Sequence, residues 1–76
     1  MTRFHFDLKG ELPAHDYVGH ECENVDEACE HGRFIAHRIG TEKPRMARPG
    51  NYISVRQGNG FEIYQAPIAT TGAVRI

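Results

Sequence analysis

Apolar and polar residues alternate at the start of the chain, with Phe4, Phe6 and Leu8 against Arg3, His5 and Asp7. A period of two is that of a strand with one buried face. After a polar stretch containing Lys9-Gly10, Pro13 and Asp16, the residues Val18, His20 and Cys22 alternate with Gly19, Glu21 and Glu23, which predicts a short second strand. The period then lengthens. Val25, Ala28, Cys29, Gly32, Ile35, Ala36 and Ile39 recur at steps of three and four and fall on one stripe of a helix over residues 24–40. Asn24 suits the N-cap, Glu27 stands three residues later for a reciprocal cap, and Asp26 and Glu27 suit the positive end of the helix dipole. Gly32 costs a helix about 1 kcal/mol relative to Ala, which a close approach of the sheet would explain, and Gly40 is placed to end the helix in a left-handed conformation.

Residues 41–50 hold Pro, Gly and basic residues and read as a loop. Ile53 and Val55 then alternate with Tyr52, Ser54 and Arg56, Gly58-Asn59-Gly60 turns the chain, and Phe61 and Ile63 alternate with Glu62 and Tyr64, a hairpin. The pattern predicts an α+β fold, a small antiparallel β-sheet packed on one α-helix in the order ββαββ, as a single domain over residues 1–66. Residues 67–76 form a tail expected to be loose, with Val74 and Ile76 able to dock. The sheet's other face is expected to meet water, carrying Arg3, His5, Asp7, Tyr52, Ser54, Arg56, Glu62 and Tyr64.

Composition narrows the functions available. A chain of 76 residues buries about 60% of its unfolded surface and has a thin core, so a deep active site is hard to build. The formal charge is −1, from nine Lys and Arg against ten Asp and Glu, and implies no long-range pull towards nucleic acid or anionic lipid. No run of apolar residues is long enough to span a membrane and the first residues lack a signal-peptide core, so a cytoplasmic location without membrane attachment is expected, with both cysteines as thiols.

The sharpest chemical suggestion is His20-Glu21-Cys22 followed by Cys29-Glu30-His31. A zinc site needs four such ligands to converge, but a two-residue helical step turns about 200° and sends Cys29 and His31 to opposite sides. Packing roles are expected for all four, and no cofactor. Ser54, the one serine, has no nucleophile turn around it. His5 and Asp7 could meet near Ser54 and Tyr64, but a flat exposed sheet excludes no water and offers no oxyanion donors, so the chain is read as no enzyme.

Two surfaces compete as binding sites. Lys43, Arg45 and Arg48, extended by Arg33, Arg38 and Arg56, form a basic segment in a chain whose residues 7–30 hold eight of its ten acids. With Tyr52 and Tyr64 as stacking platforms they would make an RNA- or DNA-binding module. Phe34 instead lies about 150° from the centre of the apolar stripe, exposed unless the tail or a partner covers it. With Tyr52, Arg56, Tyr64 and open sheet edges it favours a protein-interaction or self-association module, in which an unknown protein or a second copy is the partner.

The stretches RFHFDL at 3–8, GHEC at 19–22 with NVDEA at 24–28, and YISV at 52–55 leading through Gly60 to FEIY at 61–64 resemble the small bacterial proteins of the DUF6894 type. Those open with a similar strand, run through a G-E-L-D-like segment into a helix, and close with a hairpin. His20 and Cys22 replace aliphatic residues of that pattern, which argues that they point inward, and Gly32 interrupts a helix that is usually alanine-rich. The resemblance implies the fold and carries no activity. A looser similarity, to antitoxin subunits of the HicB type, would imply a protein-binding regulator, although the PDLPGC segment of that type is missing.

Overall fold

The computed structural model describes residues 1–68. The chain runs β1 (Thr2–Lys9), β2 (His20–Cys22), α1 (Val25–Glu42), a 3-10 turn (Pro44–Met46), β3 (Tyr52–Gln57) and β4 (Glu62–Pro67). The strands form one antiparallel sheet in the order β2-β1-β3-β4, with the two longest hydrophobic patterns side by side at its centre. The ββαββ α+β fold expected from periodicity is the fold of the protein. It ends later than expected: β4 runs through Pro67 and Ile68 is buried, while residues 69–76, with Val74 and Ile76, lie outside the described residues.

The core lies between the sheet and α1. Phe4, Phe6, Ile53 and Val55 from the central strands meet Ala28, Gly32 and Ala36 of the helix, with Cys22, Met46, Ala66 and Ile68 around them. The buried helix positions Ala28, Gly32, Ala36 and Gly40 are all small and four apart, so the helix backbone comes down close to the sheet. At Gly32 the approach is closest, because a Cβ there would lie 2.6 Å from Cγ2 of Val55. Ile35, Ile39 and Cys29, read as part of the buried stripe, flank this ridge half-buried, and Val25 is largely exposed.

Asn24 caps the helix as expected: its side chain accepts a 2.8 Å hydrogen bond from the N–H of Glu27, whose carboxylate accepts one from the backbone of Glu23. The other end differs. Gly40 does not stop the helix, which continues to Glu42 with the backbone N–H of Lys43 bonded to the carbonyl of Ile39. Gly40 is used for packing, and Pro44, which cannot extend an α-helix, redirects the chain into a 3-10 turn that buries Met46. The stretch read as a plain loop is thus partly core.

In the hairpin, the bulge between Val55 and Arg56 overturns the predicted faces. Ile53 pairs with Ala66 and Val55 with Tyr64, whereas Arg56 pairs with Glu62. One inserted residue inverts the alternation from there to Pro67, so Tyr64 turns to the helix side, while Glu62 stays on the far face as expected; Phe61, read as inward, is 67% exposed beside the turn.

Candidate functional site

The far face of the sheet is not open to water along its centre. Asp7 and Ser54, both expected to be exposed, are buried, and much of the cover is the segment between β1 and β2. Asp16 anchors that segment. One oxygen of its carboxylate accepts from the N–H of Phe6, filling the gap in the ladder between the short β2 pairing and the Leu8–Ala14 bridge. The other accepts from the N–H groups of Val18 and Gly19, an Asx turn that reverses the chain into β2. The N–H of Asp16 in turn donates to Asp7 at 2.8 Å, and Nδ1 of His5 donates to the Asp16 carbonyl at 2.9 Å.

Asp7 is the hub. Arg56 donates to it through Nε at 2.7 Å and through Nη2 at 3.3 Å, and Nδ1 of His15 stands 3.4 Å from it. Burial alone would raise the Asp7 pKa, but the bond from Arg56, that from Asp16 and the nearby charges overcome it and hold the carboxyl below its usual range. Asp16 likewise is pushed up by burial and held down by its three backbone donors. The constellation of His5, Asp7 and Ser54 is therefore divided among other partners. His5 faces the Asp16 carbonyl, the Ser54 hydroxyl donates to Glu62, and Tyr64 lies on the opposite face. What this network does chemically is tie the 10–19 segment to β1 and β3 through charge-assisted bonds.

The paired His and Cys residues also separate. Cys22 is buried, and burial with the nearby Glu27 raises its pKa; Cys29 is half-buried and a free thiol. His20, read as pointing inward, is instead exposed, and its ring stacks on that of His31 with centroids 4.3 Å apart and planes within 8°, while Phe6 meets His31 edge-on at 4.8 Å. Parallel stacked rings aim their nitrogens alongside one another rather than at one ion. Among the described residues no group of three or more His, Cys, Asp or Glu side chains is placed to hold a metal. Burial first, then His20, keeps the His31 pKa below the ordinary imidazole value against a counter-pull from Glu27.

The basic residues are dispersed. Arg56 belongs to Asp7, Arg38 pairs with Glu42 at 3.1 Å, Arg48 with Glu11 at 3.3 Å, and Arg33 lies over the Tyr64 ring. Tyr52 lies half-buried on the far face, so the two tyrosines named as joint platforms sit on opposite sides of the sheet. Lys43 and Arg45 remain exposed beside the 3-10 turn.

A further surface was only partly visible in the sequence. Phe34 is 58% exposed, as its helical position predicts. It borders a recess formed with Ile35, Arg38, Ile39 and Glu42, which continues past Ile39 and Glu42 into a groove of about 420 Å³ lined by Leu8, Leu12, Lys43 and Met46. The groove exists because β2 pairs only with Thr2–Phe4, leaving the Leu8 end of β1 under the flank of α1 without a full neighbouring strand. Leu12, 66% exposed, forms one wall. Its only signal in the sequence is that it is a single large apolar residue in an otherwise polar stretch.

Sheet, helix and groove define a small α+β domain with a helix-flank surface and no assembled catalytic constellation among the described residues. The sequence matches the profile of DUF6894, a domain of unknown function, over residues 3–69, and the chain belongs to that family. No curated protein and no solved structure matches it. No helix among the described residues is long and apolar enough to cross a membrane.

Proposed function

We propose that this chain is a non-catalytic interaction module of the cytoplasm that binds a protein through the flank of α1. The observation that carries this reading is the apolar flank of α1, exposed Phe34 with half-buried Ile35 and Ile39, which faces half-buried Leu8 and exposed Leu12 across a groove floored by the buried Met46. Fully burying an exposed Leu or Phe side chain is worth about 1.5–3 kcal/mol, and Phe34 and Leu12 are the two residues of this surface with most of that area still to give to a partner. Polar residues at its border, Arg38, Glu42 and Lys43, give it the rim usual for such surfaces. Nucleic-acid binding through Lys43, Arg45 and Arg48 has less behind it, because Arg48 is paired with Glu11 and the two tyrosines that would stack bases lie on opposite faces of the sheet.

The test is a tagged pull-down from the source cells at moderate salt, comparing the wild type with Phe34→Ser and with an Arg45→Ala, Arg48→Ala double variant. A stoichiometric protein lost with Phe34→Ser and kept by the double variant is the expected result. Nuclease-sensitive material lost with the double variant would overturn the proposal in favour of the basic segment, since phosphate contacts depend on those charges.

A further inference from the structure

We infer that the stacked rings of His20 and His31 form an acid-sensitive clasp between β2 and α1, one that sets how Phe34 is presented. This rests on the reading of the α1 flank as an interaction surface and names its regulation. His20 opens β2 opposite Phe4, so its ring lies on the helix side at the sheet edge, exposed to solvent. His31 meets it from α1 with centroids 4.3 Å apart and planes within 8°. The edge of Phe6 approaches His31 at 4.8 Å, and the ring of Phe34 lies 6.4 Å from it at 28°. A row of rings thus links β2, through His31, to the exposed Phe34. The short strand depends on this contact. β2 has three residues and pairs with β1 over Thr2–Phe4; burial of Cys22 fixes its last residue, and the stack holds its first.

Imidazole is the side chain whose ordinary charge change falls between about pH 5 and pH 8. Neutral rings at this spacing stack favourably, whereas two imidazolium rings set like charges face to face. The surroundings offer one counter-charge. From α1, Glu27 stands one turn before His31 and acts on it, but its carboxylate already accepts from the backbone of Glu23. From β2, the Cys22 thiol lies near Glu27 and stays neutral, its pKa raised by burial and by that carboxylate. Glu21 is paired with Arg3 at 3.3 Å, and both alternate onto the face opposite His20 and Phe4. From β1, Phe4 and Phe6 bring no charge, and Arg33 of the helix is turned to Tyr64. Two protons therefore face one engaged carboxylate. Burial first, then His20, holds the His31 pKa below the ordinary imidazole value, the direction this geometry requires. The remaining histidines stand apart, His5 at the Asp16 carbonyl, His15 at Asp7 and His37 exposed on α1.

The experiment follows the imidazole and Phe34 ring protons of the full chain by NMR from about pH 8 to about pH 5, with hydrogen exchange of the β1–β2 amides, corrected for intrinsic rates, at both ends of that range. His20→Phe is the informative variant, because it keeps a ring at an exposed position and removes one of the two charges. In the wild type the Phe34 resonances are expected to follow the His31 midpoint, and β1–β2 protection to fall in acid while β1–β3 protection is kept. In His20→Phe the His31 midpoint is expected to rise and β1–β2 protection to survive acid, with the midpoints of His5, His15 and His37 unmoved as internal controls. A His31 midpoint indifferent to His20→Phe overturns the inference. So do Phe34 resonances that do not follow it, or an acid loss of β1–β2 protection that persists in the variant. The pull-down judges the interaction reading separately. If no partner depends on Phe34 while the rings titrate as expected, that reading fails and the clasp stands.

Discussion

Replacing Gly32 by Ala sets two effects of known sign against each other. Mid-helix, Gly to Ala stabilises by about 1 kcal/mol when the added methyl meets nothing. Here it would lie 2.6 Å from Cγ2 of Val55, where carbon atoms prefer about 3.5–4.0 Å, so roughly 1 Å must be found. Val55 cannot supply it cheaply. It is fully buried, its β-branched side chain is stiff about χ1, and it is held between β1 and β4. Overpacking of this kind costs about 1–3 kcal/mol, leaving Gly32→Ala up to about 2 kcal/mol less stable after the helical gain. Urea unfolding followed by far-UV circular dichroism reads this directly. At about 4–8 °C per kcal/mol for a domain of this length, the melting temperature should also fall visibly. Val55→Ala alone leaves a cavity, but Gly32→Ala in that background adds a methyl to the space vacated, so the double variant should be more stable than the sum of the singles by about 1 kcal/mol. If Gly32→Ala by itself raises stability by the full propensity gain, the helix does not approach the sheet as described, and the reasoning about small residues along α1 fails.

Asp7→Asn keeps the shape of the hub but removes the charge that Arg56 and His15 face; a loss of about 3 kcal/mol is expected, at the lower end for a broken buried pair because Arg56 retains some exposure. Urea denaturation checks it, and a loss below about 0.5 kcal/mol, the level of an ordinary surface change, would show that the network does not hold the 10–19 segment. Stability should also depend on pH in two windows. His31 has its folded pKa below the unfolded value, so the unfolded chain binds the proton more readily and stability falls as pH drops below about 6.5. Asp7 and Asp16, also depressed, contribute stability above the unfolded value of about 3.9 that is lost as pH falls on through their folded values. Urea midpoints from pH 8 to pH 3 for the wild type and His31→Gln check both, since removing the imidazole should flatten only the upper window.

What periodicity could show was the faces of elements, not what lies against them. The period of two in Phe4, Phe6 and Leu8 and the steps of three and four from Ala28 to Ile39 fixed the core side of β1 and α1, and Asn24 marked the helix start. Gly40 misled because glycine serves both as a helix stop and as a packing residue, and only the distance to the sheet distinguishes them. In the hairpin the turn residues were informative, but a bulge is one residue of backbone and leaves no gap in the hydrophobic pattern, so Tyr64 was assigned to the wrong side. The 10–19 segment lacks any period because its order comes from polar side chains binding backbone groups. Asp16 followed three residues later by Gly19 is a turn signature, yet that its carboxylate also completes the ladder at Phe6 depends on β1 and cannot be local. The same holds for the groove. Leu8, Leu12, Ile39 and Met46 come from four separate segments, and what unites them is the shortness of β2, which leaves the α1 flank overhanging the sheet. A strand too short to cover its neighbour is a defect for a domain that acts alone. In a domain of 76 residues that can spare little apolar surface, it is the feature on which the proposed binding surface rests.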